Sequence, residues 1–203
     1  MTGKGIGIRA LALALGLAVA GSALAKPGPR EVVEQVSSDV LQLIEERGDE
    51  LAGDPVATYE AFAPLVEPHI DYDRIGARML GPHWRDASEA TRERFVEEFQ
   101  RSLVRTYASR MEELGEVDMR IMGTRQRDGG VQVGMEVGSG DDRARVVYRL
   151  EERPEAWKLV DVTAEGVSLV HNYREDFRSR LRDRDLEAVI EEMAERNREI
   201  GFE

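Results

Sequence analysis

Apolar residues recur at helical spacing through the first half of the chain and at strand spacing through much of the second. Val32, Val33, Val36, Val40, Leu43 and Ile44 share one helical face. Pro29 precedes them, a residue suited to the first helical position, and Gly48 is the predicted C-terminal stop. Asp54-Pro55 opens a second helix through Tyr59, Phe62 and Val66, which Pro68 ends. A short helix over 71–80 carries Ile75 and Leu80 and is broken by Gly81-Pro82. Ser88 caps the longest helix. In it Phe95, Phe99, Leu103 and Tyr107 step by four, with Val96, Val104 and Met111 alongside, until Gly115. This aromatic stripe reads either as core packed on a sheet or as one wall of a cavity.

After Gly115 the period changes to two. Val117, Met119 and Ile121 alternate with Asp118, Arg120 and Met122. Val131, Val133, Met135 and Val137 alternate with Gln132, Gly134 and Glu136, and Ala144, Val146, Tyr148 and Leu150 with Arg143, Arg145, Val147 and Arg149. Asp128-Gly129-Gly130 and the stretch 138–142 are the predicted turns. The segment 157–174 has a high apolar density in a chain that is a third charged. Trp157, Leu159, Val160 and Val162 form a fourth strand, Gly166 stops it with a turn suited to positive φ, and Ser168 caps a helix carrying Leu169, Val170, Tyr173 and Phe177. Asp185 caps a last helix with Leu186, Val189, Ile190 and Met193. The expected class is α+β: a four-stranded antiparallel sheet, one face wet and the other covered by several helices.

The first 25 residues stand outside this fold. Lys4 and Arg9 precede an apolar run over 10–20, and Ala23-Leu24-Ala25 is a small-x-small site. Export with cleavage after Ala25 is expected, leaving 26–203 as one domain. The run is shorter than the ~20 residues a membrane span needs. Cysteine is absent, so packing alone must hold the fold. Without Lys4 and Arg9 the basic count falls from 28 to 26 against 40 acids, a net charge of −14. Such a surface argues against nucleic acid and against anionic bilayers.

Catalytic constellations are missing: no His-Glu-x-x-His, no Gly-x-Ser-x-Gly and no phosphate loop in 26–203. Neither a cofactor nor a metal is expected. His69, His83 and His171 show no metal spacing, and Asp71 and Asp73 fit the acid preference of a helix N-terminus. Arg120, Arg143, Arg145 and Arg149 project from the polar sheet face. Cross-strand pairing with Asp118, Glu136 and Glu151 accounts for them; docking of an acidic partner, or of a phosphate at a cavity edge, is the other reading.

With these residues in view the sequence resembles the MlaC family, periplasmic phospholipid-binding proteins of the maintenance-of-lipid-asymmetry pathway, also known as toluene-tolerance auxiliary proteins. Three stretches carry the resemblance. One is Trp157-Lys-Leu-Val-Asp161-Val-Thr-Ala-Glu-Gly166-Val-Ser168. Another is Leu80-Gly81-Pro-His-Trp84-Arg, followed by the capped helix with Phe95, Phe99, Leu103 and Tyr107. The third is Val66-Glu-Pro68-His-Ile-Asp71. They occur in family order across the whole chain after the export segment.

The resemblance implies a deep apolar pocket between the layers that holds phospholipid acyl chains, with the headgroup outside. It implies a lipid transport shuttle, and no catalysis, between an outer-membrane lipoprotein–porin complex and an inner-membrane ABC transporter with its substrate-binding ring. The expected pocket lining combines the inward strand positions Met119, Ile121, Val133, Met135, Val146, Tyr148, Val160 and Val162 with Phe95, Phe99, Leu103 and Tyr107. Val167, Leu169 and Val170 close it. Two other readings stay open: an exported carrier of another apolar ligand such as an isoprenoid, and a ligand-free interaction domain acting through the arginine face. The polar outer face of the sheet favours a monomer.

Overall fold

The computed structural model describes residues 26–111, 118–140 and 142–202, the side chains of 107–111 and 142 excepted. The expected export segment, Gly115 and Val117 lie outside the described residues, as do the side chains of Tyr107 and Met111. The order is α1 (Pro29–Leu51), α2 (Pro55–Val66), a 3₁₀ turn (Glu67–His69), α3 (Tyr72–Leu80), α4 (Pro82–Asp86), α5 (Glu89–Met111), β1 (Asp118–Arg127), β2 (Gly130–Ser139), β3 (Asp142–Glu152), β4 (Trp157–Ala164), β5 (Val167–Ser168), α6 (Leu169–Arg180) and α7 (Leu186–Arg198).

Side chains set most helix starts. Asp54 accepts from the backbone N–H of Ala57 at 2.9 Å, Ser88 from Thr91 at 3.1 Å, and Ser168 from His171 at 3.0 Å. Asp71 and Asp185 do the same for α3 and α7, at 2.9 and 2.7 Å. Each bond satisfies one donor that the first helical turn leaves unpaired. Gly48 does not end α1. The helix runs through it to Leu51, whose side chain is buried, and the left-handed residue is Gly53, at φ 78°. Burial of Leu51 offsets the ~1 kcal/mol that an internal glycine costs.

The sheet has five antiparallel strands in sequence order, not four. The extra one is Val167–Ser168, which pairs with β4 before Ser168 becomes a helix cap. Its hairpin turns on Glu165 at φ 49° and Gly166 at φ 83°. The β1–β2 turn uses Asp128 at φ 41° and Gly129 at φ 77°. Two consecutive positive φ values are the requirement of a type I′ hairpin turn. Two irregularities change the expected faces. In β1 the register shifts between Ile121 and Gly123, leaving Met122 exposed. In β4, Leu159 and Val162 pair with Leu150 and Tyr148, and Val160 is the extra residue between them. A bulge of this kind puts residues three apart on one face.

The interior divides into two clusters. Val131, Val133, Met135 and Leu150 pack with Val32 and Val33 of α1. Ile75, Met79, Leu80, Trp84, Phe95, Phe99, Val170, Phe177, Leu181, Leu186, Val189, Ile190 and Met193 form the other, made wholly of residues from the helical part. The aromatic stripe of α5 therefore packs among helices, where core packing against the sheet or a cavity wall was expected. Phe95 stacks on Phe99 at 5.8 Å and meets Phe177 at 5.2 Å, and Phe99 meets Tyr173 at 4.9 Å. Between the clusters, Ile70 makes a parallel bridge to Leu159, and Asp71 N–H donates to Leu159 O at 3.0 Å.

Gly76 marks a close approach within the helical cluster. A Cβ there would stand 2.5 Å from the Trp84 ring, which is buried and has the Arg92 guanidinium over it at 5.5 Å. Gly76→Ala should therefore destabilise the protein by about 1–3 kcal/mol through overpacking. Urea unfolding measures this; an unchanged midpoint would show that Trp84 can move aside.

Candidate functional site

The inner face of the sheet is only partly covered. Val133 and Met135 are completely buried under α1, where Ser37 Oγ lies 3.9 Å from Met135 Sδ. Around them Met119, Ile121, Val137, Val146, Tyr148 and Val162 are half-buried. The register places Ile121 and Val146 beside Met135, and Val162 beside Tyr148. Burial raises the Tyr148 phenol above its ordinary range.

The helices next to this face show the same incomplete burial. In α1 only Val32, Val33 and Leu51 are buried; Val36, Val40, Leu43 and Ile44 are half-buried. Helix α2, PVATYEAFAPLV, carries one charged residue, yet its only buried residue is Thr58. Phe62, Leu65 and Val66 remain half-buried. Helix α2 packs on α1 and α5. Sequence reasoning assigned α1 and α2 to covering helices and not to a lining. The signal was the composition of α2, which is apolar almost all the way round, a pattern foreign to a surface helix.

The other expected lining residues scatter. Phe95, Phe99 and Val170 are core among helices, with Leu103 at the margin of that core. Val160 is fully buried in its bulge, Leu169 is half-buried, and Val167 is 57 % exposed on the short edge strand.

Asp161 joins the sheet to the helices. It is buried, accepts from Ser168 Oγ at 2.8 and 2.9 Å and from Val170 N–H at 3.3 Å, and faces Arg78 Nη2 at 3.5 Å. Arg78 Nη1 also donates to Val160 O at 2.9 Å. A buried carboxylate is tolerated because every partner is a donor. The network fixes the end of β4 against α3 and α6.

The arginines on the outer face are engaged by carboxylates, Arg120 and Arg143 across strands and Arg149 within its own strand. Arg120 meets Glu136 at 2.7 Å, Arg143 meets Asp118 at 3.2 Å and Arg149 meets Glu151 at 3.6 Å. Arg145 stands opposite Glu136 in register. The hydrogen bond from Arg120 holds the Glu136 carboxyl below its ordinary range.

Two clefts open among the described residues. One, of about 750 Å³, has Ile70, Tyr72, Trp84 and Val96 in its floor and Asp73, Glu89 and Glu93 at its rim. Burial pushes Tyr72 up to about 12, and burial with the neighbouring Glu67 carboxylate pushes Tyr59 there too. The other, of about 250 Å³, lies between α3 and α6. Neither is lined by the inward strand residues. No group of three or more potential metal ligands occurs among the described residues.

The comparisons with known proteins agree with this architecture. The family model described as MlaC protein matches residues 34–195. The toluene tolerance protein ttg2D of Pseudomonas putida is 26 % identical over 173 residues, spanning 83 % of this chain and 80 % of that protein. Among solved structures, a phospholipid-binding protein from Ralstonia solanacearum, determined in complex with a phospholipid, superposes with a TM-score of 0.78. It covers 87 % of this chain and all of that one at 22 % identity, a likeness of fold.

Removing the hydroxyl in Ser168→Ala takes from Asp161 the one O–H donor shared between its two oxygens and takes the cap from α6, and should cost about 1–3 kcal/mol. Urea unfolding measures that loss; a shift under ~0.5 kcal/mol would mean that Arg78 and Val170 N–H suffice. Stability should also fall as pH rises from 10 to 12. In that window the unfolded chain releases tyrosine protons that folded Tyr59 and Tyr72 retain, so the unfolded state gains. Unfolding at pH 9, 10.5 and 11.5 checks the slope; a flat profile contradicts it.

Proposed function

The chain belongs to the MlaC family, and on that premise we propose that it is a periplasmic carrier of glycerophospholipid. Acyl chains would occupy the space between the inner face of the sheet and helices α1 and α2. One observation carries this reading: α2 is apolar almost throughout, yet none of its apolar side chains is more than half-buried. Apolar surface of that extent is held open at a cost unless something apolar covers it. The half-buried stripe of α1 and the strand residues Met119, Ile121, Val146, Tyr148 and Val162 supply the facing wall.

The widths agree. Four long strands ~4.8 Å apart span about 14 Å, and the fifth adds a further step. A helix with its side chains is about 10–12 Å across. One helix, α1, leaves a margin of sheet open to a second apolar layer. Met119 and Met135 suit chains of varied length, because an unbranched thioether side chain adapts its shape.

Two acyl chains of roughly 30 methylenes gain more than ~20 kcal/mol on leaving water. A lipid in a bilayer is already dry, so the pocket changes the aqueous crossing and hardly the end states. Net direction then rests with the donor and acceptor complexes: an outer-membrane lipoprotein–porin assembly and an inner-membrane ABC transporter with its binding ring. Residues 26–203 form the carrier domain after export and cleavage at Ala25, and the protein performs no covalent chemistry.

Val162→Trp tests the space directly, since Val162 is half-buried. Val133→Trp tests packing instead, since Val133 is completely buried. Protein purified from the periplasm without detergent should carry phospholipid of mixed chain length by native mass spectrometry. Val162→Trp should cut occupancy severalfold with its circular dichroism unchanged. A bare mass in wild type, with no lipid acquired from vesicles, would sink the proposal; an isoprenoid mass would replace the ligand.

A further inference from the structure

Arg78, His171 and Arg174 converge on the 250 Å³ cleft between the C-terminal end of α3 and the first turn of α6. Ala77, Gly81 and Val170 complete its walls, and no carboxylate lines it. That is unusual in a chain with 40 acids and 28 lysines and arginines. We infer that this cleft binds a phosphate group, either free phosphate or the phosphate of a lipid headgroup.

The geometry of the cations supports this. His171 and Arg174 lie three residues apart on α6 and so project from one side of the helix. Neither side chain has an ion-pair partner among the described residues, whereas Arg178 and Arg180 on the same helix pair with Glu175 and Asp176. Arg78 is pinned at the opposite wall by Val160 O and Asp161, leaving further N–H groups of its guanidinium to donate. A tetrahedral oxyanion would meet the fork of Arg174, the remaining N–H groups of Arg78 and an imidazole N–H. At ~30 Å³ per water the cleft holds about eight waters' share of volume, room for a phosphate with part of its hydration.

Gly81 borders the cleft in open space. It adopts φ 58°, a Cβ placed there would meet nothing within 4 Å, and the chain turns there from α3 into α4. The larger cleft differs in kind. Its three cations, Arg92, Arg153 and Lys158, are already bonded to Trp84 O, Asp71 and Pro68 O respectively, and carboxylates line its rim.

Titration calorimetry with inorganic phosphate at low ionic strength tests the site. Saturable binding should weaken about tenfold in the double variant H171Q/R174Q. It should stay unchanged in R178Q, whose arginine lies outside the cleft. All three side chains are exposed, and circular dichroism checks that the variants fold. Binding that is unsaturable, or equal in the double variant and wild type, would overturn the inference. A second arm identifies the source. Monomeric dihexanoylphosphatidic acid that displaces phosphate at tenfold lower concentration marks the headgroup; phosphate binding without such displacement marks the free ion. Val162→Trp separates this site from the acyl-chain reading, because it should lose lipid and keep phosphate.

Discussion

An apolar sheet face must be covered, and here the cover is narrower than the sheet. Helix α1 seals Val131, Val133, Met135 and Leu150 with Val32 and Val33, and the residues flanking that contact stay half-buried. The rest of the interior is arranged around this shortfall. The helical cluster built on Phe95, Phe99 and Phe177 consists of residues from the helical part, and α3 and α6 meet the sheet at β4. The interior thus holds two packed cores, and half-buried apolar residues flank the one under the sheet.

Holding two cores in register requires polar ties where apolar contact is thin. Asp161 is the central one, with Ser168, Val170 and Arg78 around a single carboxylate. The Asp71–Arg153–Glu151 cluster and the Ile70–Leu159 bridge do the same at the other end of β4. These ties cluster on β4 because it is the strand next to both α3 and α6. The family motif over 157–168 thus reads as the joint between the cores more than as a ligand surface. The cleft holding Arg78 and His171 lies directly behind that joint.

Surface charge follows the same division of labour. Arginines on the outer sheet face spend their charge on cross-strand partners, which stiffens a sheet with one wet side. Carboxylates gather at the larger cleft, and the smaller one is lined by Arg78, His171 and Arg174 with no carboxylate among its lining residues. The two hollows therefore differ in their charge on one acidic protein.

Local chemistry was enough to place the caps at Asp54, Ser88, Ser168 and Asp185, the turn at Asp128-Gly129, the four long strands and their order, because each depends on a few adjacent residues. The α+β class followed from the change of period. Which helix covers the strands did not follow. An aromatic stripe and a valine stripe are both apolar faces, and periodicity says that a face is buried without saying against what. Only the tertiary structure set α1 on the sheet and gave the α5 aromatics to α6. The bulge at Val160, the run of α1 through Gly48 and the strand at Val167 were likewise decided by distant partners: Leu150 and Tyr148, the burial of Leu51, and Ala164.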